Sequence, residues 1–307
     1  MRVFQNLKVL LPVLTSFLFA GSFVAGKYTT VELGPLTTTL LRYVIALGVL
    51  GLFVARSSRP VKALTVDRAD WGLMALLGLF GVVGYHYFFF SSLRHTATAN
   101  TAIINAFNPV VTGLMAALFI GERLTRRQYG GIVVALLGVL TLLTRGSITT
   151  LLSLEVNRGD ALMLGAVLCW VVYSLIIKQL SQRYSGLTIT FYAAVAGVGQ
   201  LLVLASLEGW WRQMGGLSAA SWIALLYMGI AASGIAYLLF NLSIQSIGPT
   251  RTASTVYSLV PIFVAALAWL FFREPLTVPM VASMGLILLG VNIVLSSPRP
   301  KPPQPDT

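Results

Sequence analysis

A chain of 307 residues that is 57% apolar and only 10% charged has too little polar surface to cover a soluble globule, so lipid must solvate it. Its net charge of +12 does not point to nucleic acid, because the basic residues sit in the short connections between apolar runs, where they read as membrane topology. One cysteine, Cys169, and two histidines, His86 and His95, leave no internal disulfide and no cysteine or histidine metal cluster, and no Gly-x-x-x-x-Gly-Lys loop offers to cradle ATP.

Ten runs are long and apolar enough to cross a hydrocarbon core of about 30 Å. They predict spans over residues 8–27, 36–55, 71–91, 97–119, 127–144, 159–178, 187–207, 222–243, 252–272 and 277–296. The first, behind Arg2 and Lys8, imitates a secretory signal, but it is long for one and its counterpart in the second half lies mid-chain. Arg42 lies about two turns into the second span, from where it can snorkel to the outer surface; facing inward, it could attract a carboxylate. On the third span, His86 lies about 22 Å from Trp71 at 1.5 Å per residue, and Tyr85 and Phe89, four apart, share a face. Pro109 and Pro261 fall mid-way along the fourth and ninth spans, where each frees the carbonyl four residues earlier, on Asn105 and Tyr257. Such a carbonyl could hold an ammonium group, act at a hinge, or be satisfied by a neighbouring helix. Asn108 adjoins the first of these prolines. The sixth span brings Trp170 close to the midplane, with Tyr173 and Ser174 a turn beyond, and the eighth carries Tyr237 and Asn241. The tail, 298–307, is Pro-rich and polar and reads as a disordered end.

The two halves are copies. Glu122-Arg-Leu-Thr and Glu274-Pro-Leu-Thr, each followed by Leu-Leu-Gly-Val (Leu136–Val139 and Leu288–Val291), recur at a shift of 152 residues, as do Pro109 with Pro261 and Tyr85 with Tyr237. Trp71 meets Trp222 and Lys27 meets Lys178 at a shift of 151, so one residue has been gained between Trp222 and Tyr237. The units run over 1–150 and 151–297. Five spans per unit is an odd number, so the second copy enters the membrane inverted, an arrangement that places a substrate site at mid-depth between the halves. With the N-terminus inside, Lys and Arg divide 14 inside to 6 outside, with Arg42 within a span, which predicts that both termini are cytoplasmic.

Polar and aromatic groups at mid-membrane are functional candidates by default. Tyr85 with Phe89 toward the outside, and Tyr237 with Asn241 toward the inside, would each face a cavity, with packing or an interfacial belt as the plainer role. Trp170 and Tyr173, with Phe19, Ser22 and Phe23 as their partners in the first copy, offer flat surfaces suited to a flat apolar cargo, or pack the core. Asn105, Tyr257 and His86 complete the set, and His86 is the only mid-membrane group that titrates near neutrality. No carboxylate lies mid-membrane; Glu122 and Glu274 read as interfacial structure.

The repeated Glu-x-Leu-Thr before a Gly-rich span, the ten-span count and the basic inner loops resemble the drug/metabolite transporter superfamily, EamA type, over essentially the whole chain. Within it, the aromatic-rich middle of the spans looks like the YddG-type aromatic amino acid exporters of bacterial inner membranes. The resemblance implies an all-α membrane protein with ten transmembrane helices, arranged as two inverted five-helix repeats around a central cavity. That cavity would be drawn from the first, third, fourth, sixth, eighth and ninth spans, with the last span of each half more peripheral. It also implies export of neutral, chiefly aromatic, amino acids by alternating access, or else of other neutral metabolites such as purines, sugars or conjugates, or of drugs. The four-span relatives that exchange cationic drugs for protons use an intramembrane glutamate, and this chain has no equivalent. No cofactor and no obligate protein partner is expected beyond the cargo and the bilayer. The buried His, Asp and Glu constellations of a membrane enzyme are missing.

Overall fold

The structure, a computed structural model, describes residues 2–56, 65–120, 124–147, 157–247 and 249–296. Among these residues there is no strand, and ten helices are long and apolar enough to span a bilayer. They are α1 (Leu10–Glu32), α2 (Pro35–Ala55), α3 (Arg68–His95), α4 (Thr98–Phe119), α5 (Arg126–Leu143), α6 (Arg158–Leu180), α7 (Gly186–Glu208), α8 (Ala219–Phe240), α9 (Thr255–Phe272) and α10 (Val278–Ser296). Glu122 and the 298–307 tail lie outside the described residues.

The duplicated Leu-Leu-Gly-Val has a packing reason. α5 and α10 run against each other along their length, and Gly138 and Gly290, the glycines of the two motifs, lie at that contact. A methyl group on Gly290 would sit 2.5 Å from the carbonyl oxygen of Gly131, so only glycine lets the two backbones meet there. Neither helix lines the central cavity; α10 packs on α9 and α4, and the pair fastens one repeat to the other.

Both α3 and α8 contain a π-helical stretch, Gly78–Gly84 and Tyr227–Ile235. The amide of Tyr85 reaches back five residues to the Phe80 carbonyl, and that of Ala236 to Ala231. The residue gained by the second copy between Trp222 and Tyr237 is thus absorbed in a longer wide turn, 9 residues against 7, and the helix carries on with its tyrosine still facing inward.

The two prolines act differently. α4 is broken into Thr98–Asn105 and Asn108–Ile120 by a turn at Ala106 and Phe107, and Pro109 occupies the first turn of the second piece, where its missing N–H costs nothing. The Asn105 carbonyl accepts from Asn108 Nδ2 at 3.0 Å, so that group is satisfied locally. Pro261 sits inside an unbroken helix, Pro249–Phe272.

Three glutamates cap helices that belong to the other repeat. Glu274 accepts from the Thr98 amide (2.8 Å), its hydroxyl (2.9 Å) and the Ala99 amide (3.4 Å), closing the N-terminus of α4. Glu208 does the same for α2 through the Leu36 and Thr37 amides (3.2 and 2.9 Å), and Glu32 accepts from Ser218 N (2.9 Å) just ahead of α8. Each supplies the acceptor that first-turn amides lack, together with the negative charge a helix N-terminus favours.

Candidate functional site

A cavity of about 120 Å³ lies where α1, α2, α3, α4, α6, α8 and α9 converge. α1 gives it Phe19, Ser22 and Phe23; α3 gives Tyr85, His86 and Phe89; α4 gives Ala102, Asn105, Ala106 and Asn108. Trp170 comes from α6, Tyr237 and Phe240 from α8, and Val256, Tyr257, Val260 and Pro261 from α9. The tyrosines expected to face opposite halves of the membrane, Tyr85 and Tyr237, therefore share one chamber.

Helical spacing explains how these side chains meet. Tyr85 and Phe89 stack in parallel at 6.0 Å, with 6° between their planes, as an i, i+4 pair should. Phe23 meets Phe89 edge-on at 4.9 Å, Phe19 meets Tyr237 at 5.6 Å, and Trp170 meets Tyr85 at 5.1 Å. The Tyr85–Phe89, Phe23–Phe89 and Phe19–Tyr237 pairs take the offset and edge-to-face geometries that aromatic quadrupoles favour, and Trp170 is tilted by 53° to Tyr85. Trp170 and Tyr257 also wall a second cavity of about 360 Å³, which Pro109 lines with Ser174, Gln128 and Lys178. Trp170 is thus a partition between two chambers.

One open reading is decided and one expectation is corrected. Arg42 does not snorkel to the surface: it is 6% exposed and lines the cavity, donating from Nε to Ser233 Oγ at 2.9 Å and from Nη1 to Ser22 Oγ at 3.0 Å. Depth along the span does not decide this; α1 and α8 close over that face of α2 and supply its hydroxyls. Tyr173 is packed outside the central cavity. Three residues beyond Trp170, it turns toward α3 and lays its ring against Gly81, where an added Cβ would lie 2.2 Å from the ring. The side chain of Asn241 lies outside the described residues.

His86, 4% exposed, places Nδ1 3.0 Å from the Val82 carbonyl. A carbonyl can only accept, so Nδ1 carries the proton and Nε2 is the acceptor in the neutral ring. The Tyr85 hydroxyl donates to Asn105 Oδ1 at 3.0 Å, and Asn108 Nδ2 donates to the same oxygen at 2.7 Å. Phe240, Val256 and Val260 are lining residues absent from the sequence prediction. Each stands one, three or four positions from a predicted one, so the helical period carries the signal. Among the described residues no group of acids, histidines and cysteines could hold a metal ion.

Ten membrane-crossing helices in two copies, closing on an aromatic chamber, define a multi-pass carrier built from repeats. The chain belongs to the EamA-like transporter family, whose model matches residues 6–144 and again 157–296, and it is a transporter and not an enzyme. It is 27% identical over 288 residues to YyaM, an uncharacterized transporter of Bacillus subtilis (strain 168), covering 94% of this chain and 93% of that protein. It is 25% identical over 259 residues to a probable terminal-alkyne amino-acid exporter of Streptantibioticus cattleyicolor, covering 84% of each chain. To the aromatic amino acid exporter YddG of Ancylobacter novellus it is 24% identical over 259 residues, covering 83% of this chain and 87% of that one.

Proposed function

We propose that this protein exports neutral amino acids, aromatic ones above all, across a bacterial-type inner membrane by alternating access of its two inverted halves, units 1–150 and 151–297, with both termini cytoplasmic. The observation that carries the reading is the wall of the central cavity, which among the described residues holds eight phenylalanine, tyrosine and tryptophan side chains from five helices, and no carboxylate. Flat apolar walls suit a flat apolar side chain, and a cavity without an acid gives no counter-charge to a cationic drug. Two relatives bearing the names of amino-acid exporters support the same cargo class.

A cavity of about 120 Å³ is small beside the roughly 300–1,000 Å³ of ordinary ligand pockets, so loading an aromatic amino acid requires the halves to part. The break at Ala106 and Phe107 beside Pro109, and the proline-weakened turn at Pro261, are the hinge points of that movement. Counterflow into proteoliposomes tests the reading. Vesicles preloaded with phenylalanine should take up labelled phenylalanine, tyrosine and tryptophan, and less alanine. Uptake of purines or sugars with no amino acid exchange would overturn it in favour of another neutral metabolite.

A further inference from the structure

We propose that the central cavity is a two-pole receptor for a zwitterion, in which Arg42 takes the cargo's carboxylate and Asn108 Oδ1 takes its ammonium group; this deepens, and rests on, the amino-acid reading above. Among the described residues, Arg42 is the only permanently charged side chain lining the cavity. Among the described residues it makes no ion pair, and two of its five N–H groups are engaged, by Ser22 and Ser233. Those hydroxyls come from α1 and α8 and fix the guanidinium from either side, so its remaining N–H groups are preorganised as a fork. A fork of this kind fits a carboxylate. A cation withdrawn from water without a counter-charge is costly, and a carboxylate brought by the cargo relieves that cost only while cargo is bound.

The second pole rests on a separate observation. Asn108 is 1% exposed and lines the same cavity. Its Nδ2 donates to two acceptors, the Asn105 carbonyl (3.0 Å) and Asn105 Oδ1 (2.7 Å), which fixes which end of the amide is nitrogen. Its Oδ1 has no partner among the described residues. A buried acceptor left empty is a standing demand for a donor, and an ammonium group supplies three.

Both poles belong to the first repeat. At the shifts of 151 and 152 residues their counterparts are Ala193 and Val260, which offer neither charge nor hydrogen bond. The aromatic walls are shared between the repeats, whereas the recognition of charge is one-sided. The cargo backbone is therefore held by one repeat throughout the cycle, in a single orientation, while the aromatic side chain meets the moving wall.

The test uses the full chain and three probes: L-phenylalanine, phenethylamine, which lacks the carboxylate, and 3-phenylpropionate, which lacks the ammonium. Affinity is read from ligand-induced thermal stabilisation in detergent and from competition against phenylalanine counterflow. Wild type should prefer phenylalanine to either analogue by at least tenfold. Arg42→Gln should cost phenylalanine and 3-phenylpropionate at least tenfold and phenethylamine less than twofold; Asn108→Leu should do the reverse for the two analogues. Equal losses for all three probes in Arg42→Gln, or none, would overturn the carboxylate pole. Should Arg42→Gln fail to fold, the wild-type ranking decides, since phenethylamine bound as tightly as phenylalanine overturns the proposal. Wild type that binds 3-phenylpropionate through Arg42 yet ignores phenylalanine would refute the amino-acid reading and the ammonium pole, leaving the carboxylate pole standing.

Discussion

Trp170→Ala removes the partition between the central cavity and its neighbour of about 360 Å³. It deletes ring contacts with Tyr85 at 5.1 Å and Tyr173 at 5.0 Å, each worth about 0.5–1.5 kcal/mol beyond the buried area, so the protein should melt at a lower temperature but remain folded. For a cargo with a phenyl or indole ring, the substitution withdraws a large flat surface and admits water from the adjoining chamber. The expected loss is about 1–3 kcal/mol of binding, or roughly 5- to 150-fold in affinity. A cargo with a methyl side chain barely reaches that wall and should lose far less. The informative quantity is a ratio: phenylalanine over alanine counterflow in wild type and variant, at matched reconstitution and after the folded fraction has been checked. A ratio that stays constant while both rates fall together would assign Trp170 to packing and refute its role as a cargo wall.

Glu274→Ala should leave the Thr98 and Ala99 amides uncapped and lower stability by about 1–2 kcal/mol, read as thermal unfolding in detergent; an unchanged melting curve would show that the cap contributes nothing. His86→Gln should retain part of the transport, because the glutamine amide can still donate toward Val82, and a complete loss with cargo binding intact would make His86 a coupling group. Tags on Met1 and Thr307 should both be shielded from periplasmic reagents; labelling of both from that side would reverse the proposed topology.

The ten spans and their duplication were legible because length, apolarity and repeat register are one-dimensional signals, as the Gly138 and Gly290 pair illustrates. Phe19, Phe23 and Trp170 could be assigned to mid-depth because depth along a helix follows from residue counting, whereas Tyr85 with Phe89 and Tyr237, expected in opposite halves, meet in one chamber. Azimuth does not follow so simply. Tyr173 lies at nearly the depth of Trp170, yet it faces Gly81, and only the packing of α3 against α6 decides that. Arg42 stood between two readings for the same reason: its distance from the span end allowed an escape to the surface or an inward turn, and the groups that decide it come from 20 residues before and 191 residues after it. The empty Oδ1 of Asn108 is invisible in sequence, since it depends on which two acceptors the amide nitrogen has already met.

The inter-repeat caps of Glu32, Glu208 and Glu274 all lie on the face where α1 ends, joined there by Thr96 Oγ1 donating to Asp160 at 2.6 Å. On the opposite face, the ties between repeats among the described residues are Asp70 with Arg183 and Tyr184, and Gln128 Nε2 donating to the Val294 carbonyl at 3.4 Å. In an alternating cycle this makes the two gates unequal. Opening the capped face must strip several helix ends of their acceptors at once, whereas among the described residues the other face has one ion-paired cluster and one long amide contact to release. In the proposed export cycle, the empty carrier would therefore idle with the capped side shut and the other face ready for cargo.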